Sequence, residues 1–157
     1  MTRLLFDHLS NDRLRDVGIA ALRIGSGLAF MAHGILLKIF EFTIQGTVDY
    51  FVSIGYPAIL AYGVILGESI GGFLLVFGWQ TRLVSLLLLP ILIGATVEHW
   101  PNGWSFSNPG GGWIFPAFWA LVMAAQAALG SGRLLPAGTS TDVAHGGDLI
   151  EPRCGHS

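Results

Sequence analysis

Charge is what this chain has least of. Only 11% of its 157 residues are charged, against about a quarter in ordinary soluble domains. That scarcity excludes an ordinary soluble domain. There is no Lys/Arg cluster and the formal net charge is -2, so nothing supports a nucleic-acid partner. Cysteine is nearly absent too. The single Cys154 sits in a polar tail, which rules out an internal disulfide and CxxC redox chemistry within the chain, and the thiol reads as idle. No CxxCH, flavin fingerprint or cysteine ligand set occurs, so no motif holds covalent haem, flavin or an iron–sulfur cluster. The first residues lack the apolar core of a cleavable signal. Residues 1–16 interleave Arg3, Arg13 and Arg15 with Asp7, Asp12 and Asp16 and read as a cytoplasmic amphipathic lead-in.

What the chain does have is apolar length. It is 52% hydrophobic with a mean hydropathy of +0.63, and its charges fall mostly at the ends of long apolar runs. Four runs approach the ~20 residues that cross ~30 Å of hydrocarbon. They are predicted at Val17–Ile39, Tyr56–Trp79, Arg82–Trp100 and Trp113–Leu135. The fold class is therefore all-α, an integral membrane four-helix antiparallel bundle over residues 17–135, followed by a polar, aperiodic tail over 136–157. Only Gln80 and Thr81 separate the second and third runs, a tight hairpin. The connection from Phe40 to Pro57 is mixed in character and is predicted to hold a short helix before Gly55-Tyr56-Pro57 turns the chain. Pro101–Gly112 is loop chemistry throughout, flanked by Trp100, Trp104 and Trp113 as interfacial anchors. Of the 8 basic residues, all but Lys38 fall on one side when the N-terminus is inside. This predicts both termini cytoplasmic, in the cell inner membrane.

Small residues at four-residue spacing predict which faces pack. Such stripes are Ala21-Gly25-Ala29-His33, Gly63-Gly67-Gly71, Pro90-Gly94-Glu98 and Ala120-Ala124-Ala128. Glu68 follows the second stripe near mid-membrane, where a carboxylate costs about 2.5–3.5 kcal/mol on insertion scales and so faces a partner or a wet cavity. His33, Lys38, Glu41, Glu98 and His99 gather on the outer side above it. The predicted picture is a bundle whose outer half opens into a polar pocket.

At these residues the sequence resembles the DoxX family of small integral membrane proteins. The matching pieces run in the family's order: Arg23 with Gly27, Phe30 and His33-Gly34 before Lys38, Phe51 with Gly55-Tyr56-Pro57, then Glu68 with Gly71-Gly72. Gly78 with Thr81-Arg82, Pro90, Gly94-Ala95, His99 and Gly110-Gly111-Gly112 complete the series. Family members commonly carry a glutamate shortly after that glycine run, and here Trp113-Ile114-Phe115-Pro116 stands instead. The resemblance implies a membrane subunit of a redox system, as in thiosulfate:quinone oxidoreductase or membrane-bound thiol-stress complexes. It also implies other membrane or redox protein subunits as partners.

Within that frame His33 is a candidate proton carrier, because imidazole titrates near neutral pH. Glu68 is a candidate to pass or accept a proton. Glu98 and His99 join them as candidate catalytic residues, while Arg23 and Lys38 are candidates to hold an anion or a quinone carbonyl. The same residues carry plainer readings. His33 with Glu68 or Glu98 suits a hydrogen bond locking two helices, Glu98-His99 suits an interface, and Arg23 and Lys38 suit snorkelling to headgroups. A non-catalytic accessory subunit of a larger membrane complex is the alternative function. No metal site is predicted: His33, Glu68, Glu98 and His99 offer suitable atoms, but none lie at the spacing of dedicated helical ligands.

Overall fold

The computed structural model describes residues 12–132, with side chains from residue 14. The predicted lead-in as far as residue 11 and the tail from residue 133, with Cys154, lie outside the described residues. Among those described, every regular element is helical. α1 (Asp12–Met31) runs straight into a π-helix (Ala32–Glu41), and α2 (Ile44–Ser53), α3 (Ala58–Phe77), α4 (Thr81–Glu98) and α5 (Ile114–Leu129) follow. Three of these stretches are long and apolar enough to cross a bilayer: Leu14–Glu41, Ala58–Phe77 and Thr81–Glu98. The fourth predicted span is shorter than expected. α5 has 16 residues, about 24 Å at 1.5 Å per residue, and Gly130 ends it at φ +87°.

Local chemistry sets the joints. Thr43 breaks the chain after the π-helix at φ 62°, and its Oγ1 accepts the Gly46 N–H, capping the short helix the sequence predicts here. Pro57, without an N–H to lose, leads into α3. Gly78 ends α3 in the left-handed conformation (φ +76°), with Trp79 N–H reaching back to the Leu74 carbonyl, so the α3–α4 hairpin closes as a Schellman turn.

The helices are antiparallel in sequence, and the closest approaches fix their register. A Cβ on Gly72 would lie 2.6 Å from the Gly27 carbonyl oxygen, so α1 and α3 touch backbone to backbone. Gly71, on the adjoining face, receives Leu88 of α4, and Gly67 receives Ile91. The core is Phe30, Leu75, Val84, Leu88, Leu92, Trp119 and Met123, drawn from all four long helices. Phe30 and Trp119 meet with ring centroids 4.3 Å apart.

The small-residue stripes predict these faces only in part. Gly67 and Gly71 do pack. Gly25, Gly63 and Gly94 have nothing near them, and Ala21, Pro90, Ala124 and Ala128 are exposed. The reason is that close approach is needed only where backbones cross, as at Gly27 and Gly72. Elsewhere the interior is filled by the larger apolar side chains, and small residues face outward at no cost in lipid.

Candidate functional site

The chemistry gathers where the π-helix crosses α3. Lys38 Nζ meets Glu68 Oε2 at 2.5 Å, the sole ion pair among the described residues. The Glu68 side chain is 7% exposed and that of Lys38 19%. Helix direction explains the encounter. A helical side chain leans toward its own N-terminus, so on two antiparallel helices Lys38 leans down and Glu68 leans up toward each other. The carboxylate at membrane depth thus has its partner, and it is Lys38.

His33 stands beside this pair, within electrostatic range of the Glu68 carboxylate. Its Nδ1–H donates to the Ala29 carbonyl at 2.9 Å, which makes Nε2 the basic nitrogen of the neutral ring. The imidazole packs on α5, against Trp119 at 5.2 Å and Phe115 at 6.3 Å between ring centroids. Lys38 lies five residues beyond His33. At 100° per residue an α-helix would turn them about 140° apart. The i→i+5 bonding of the π-helix narrows that divergence. Gly34 lets the crossing close: a Cβ there would lie 2.7 Å from Ser69 Oγ and 3.0 Å from Glu68 Cβ.

The remaining predicted residues lie elsewhere. Arg23 is buried toward the α3–α4 hairpin, where Nη1 donates to the carbonyls of Leu75 (2.9 Å) and Val76 (3.2 Å). It binds the C-terminal end of α3, where a cation suits the helix dipole, about 15 Å along α1 from His33. Glu98 and His99 close α4 at the opposite end. His99 repeats the His33 arrangement, with Nδ1–H on the Ala95 carbonyl at 2.9 Å, and its ring lies beside Gly111 of the glycine loop. Glu98 acts electrostatically on Tyr50 of α2, whose phenol is pushed above its ordinary range by burial first and by Glu98 second. The structure brings together His33, Lys38 and Glu68. Arg23 stands apart, as does the Glu98–His99 end of α4. Phe115 and Trp119 are site residues that the sequence reading missed, since nothing in their spacing distinguishes a site wall from lipid-facing aromatics. Ser69 was missed too.

The DoxX family model matches residues 18–100, a span that holds all six predicted site residues, and the chain belongs to this family. It is a multi-pass membrane protein, all-helical over the described residues. A Bacillus subtilis (strain 168) protein named "Putative oxidoreductase CatD" is 40% identical over 82 residues, which cover 52% of this chain and 59% of that protein. The match therefore spans less than two thirds of that relative's length. No solved structure matches the chain.

Proposed function

We propose that the protein is a membrane subunit of a redox system that binds a quinone at the crossing of the π-helix and α3 and exchanges its protons there. The observation that carries this reading is the Lys38–Glu68 ion pair set beside an imidazole with a free Nε2 and an aromatic wall. The donor set fits the substrate. A quinone needs an apolar slot, a hydrogen-bond donor at each carbonyl and a base for each proton of the quinol. Phe115 and Trp119 supply the slot, Lys38 Nζ supplies one donor, and the Nε2–H that His33 gains on taking a proton supplies the other. His33 Nε2 takes a proton from one quinol hydroxyl, and Glu68, released from Lys38, takes the other. Oxidation of a quinol gives up two protons and two electrons. The electrons pass to a partner subunit, because the chain has no electron-carrier motif of its own. The relative's oxidoreductase name supports the redox class. The excess of basic residues toward the hairpin end supports setting that end on the cytoplasmic side of the inner membrane.

A second reading, a non-catalytic subunit of a larger membrane complex, is favoured by one feature. Lys38 and Glu68 already neutralise each other and brace two helices. Detergent purification with mass spectrometry of copurifying proteins and extracted quinones separates the two. Near-stoichiometric quinone, lost in Glu68→Gln and His33→Ala, supports the first. A stable partner without quinone, indifferent to both substitutions, defeats it.

A further inference from the structure

The hairpin end of the bundle carries a second polar cluster that the proposed site does not use. Arg23 of α1, Thr81 and Ser85 of α4 and Gln126 of α5 are each more than nine-tenths buried. Each also keeps a polar atom without a partner: Arg23 Nε, Thr81 Oγ1, Ser85 Oγ and Gln126 Oε1. Register places them toward the hairpin, within about two turns of one another along the helices. Phe30 touches Trp119. Seven residues, about two turns, toward the hairpin along α1 and α5 lead from that pair to Arg23 and Gln126. On α4, Ser85 lies three residues before the core residue Leu88. Thr81 lies a turn further toward the hairpin, where the neighbouring Arg82 side chain reaches Gly130, one turn past Gln126. Arg23 itself reaches the Leu75 and Val76 carbonyls at this level. Leu75, whose carbonyl receives Arg23, lies seven residues, about two turns of α3, from Glu68.

We infer that this layer is an internal binding site whose ligand is water. Buried polar atoms of native proteins find partners, and the chemistry here selects among candidates. Arg23 Nε–H offers a donor, and the two hydroxyls offer either role. The Gln126 amide is held by its Nε2–H on the Gly130 carbonyl at 2.5 Å, which leaves Oε1 as an acceptor toward the layer. An anion would suit Arg23 but be repelled by that oxygen, and a cation would be repelled by Arg23. Water donates to one and accepts from the other, as buried waters do with two to four polar neighbours.

The test is X-ray radiolytic labelling of the full chain in lipid nanodiscs, read by mass spectrometry. Met123 is fully buried and one turn from Gln126, so radicals from bulk solvent do not reach it, whereas radicals formed from a bound water do. The expected result is Met123 oxidised at a rate comparable with exposed Trp104, falling severalfold in Gln126→Leu. Labelled Trp104 with unlabelled Met123 would mean a dry layer and overturn the inference. Ser85→Ala gives an independent reading that needs no large repacking. Loss of a hydrated hydroxyl lowers the melting temperature and the Met123 labelling, and a raised melting temperature would show the hydroxyl had been dry. Replacing chloride by gluconate should leave the melting temperature unchanged. Stabilisation by chloride would assign the layer to an anion instead.

Discussion

Lys38 and Glu68 are thirty residues apart in sequence and 2.5 Å apart in space, and each offsets part of the cost of burying the other. Breaking one side of such a pair strands a charge, typically at about 3–5 kcal/mol, whereas replacing both partners by apolar groups is often neutral. Glu68→Leu and Lys38→Met should therefore each destabilise, by about 3 kcal/mol, the lower end of that range because Lys38 keeps some access to the surface. The double variant should recover most of the loss. Melting temperatures of the four proteins in one detergent form the cycle. Additive losses would show that the two charges do not support one another in the membrane.

Much of this arrangement was legible in the sequence, and the pair was not. Four apolar runs, the Gln80-Thr81 hairpin and a short helix before Gly55-Tyr56-Pro57 follow from composition and turn chemistry, and the structure has them, the fourth run shortened to the 16 residues of α5. Glu68 was legible as a residue in need of a partner, because a mid-membrane acid rarely stands alone. Which partner it takes depends on two things that sequence spacing does not carry. One is the π-helix from Ala32 to Glu41, which changes the direction of every side chain after His33. The other is the lean of side chains on antiparallel helices, which moves Lys38 from the end of its span toward mid-depth. Arg23 shows the same limit. A cation near a helix end reads equally as snorkelling or as binding, and only the α3 carbonyls decide.

Glycines at the α1–α3 crossing should respond differently from those beside lipid. A Cβ on Gly72 would lie 2.6 Å from the Gly27 carbonyl oxygen and 2.8 Å from the Met31 nitrogen. Backbone cannot yield as a side chain does, so Gly72→Ala and Gly27→Ala must push the helices apart, at about 1–3 kcal/mol each. Gly25 and Gly63 have nothing within 4 Å. Alanine there gains about 0.8–1 kcal/mol of helix propensity, and the proteins should melt at or above the wild-type temperature. Equal responses from both pairs would show that the crossing is not close.

Arg23 should act as a cap on α3. Arg23→Met removes two charge-assisted bonds to the Leu75 and Val76 carbonyls and should cost about 3 kcal/mol, with Arg23→Lys retaining roughly half through its remaining charge. Gly78→Ala should mimic the loss, since its left-handed φ of +76° disfavours a side chain and a Cβ would run into the guanidinium. Thermal melts with tryptophan fluorescence report both. Unchanged melting in Arg23→Met would mean that the Gly78 N–H, which already donates to the Leu75 carbonyl at 3.1 Å, closes this helix end without the arginine.

The phenol of Tyr50 lies outside the spans and gives a pH signature with a defined sign. Burial, and then the charge of Glu98, hold its proton more tightly in the folded protein than in the unfolded chain, where a tyrosine titrates near 10. Below about pH 10 both states keep the proton, and Tyr50 adds no pH dependence. As pH rises through that value the unfolded state loses its proton first, so stability falls until the folded phenol titrates as well. Tyr50→Phe should lessen the decline of melting temperature above about pH 10. Glu98→Gln should move the tyrosinate absorbance of Tyr50 to lower pH, the difference being read against Tyr50→Phe. Because Tyr50 is half exposed, the effect should also weaken as salt screens Glu98. A tyrosinate titration unmoved by Glu98→Gln would separate α2 from the end of α4, and with it the electrostatic link between the two elements.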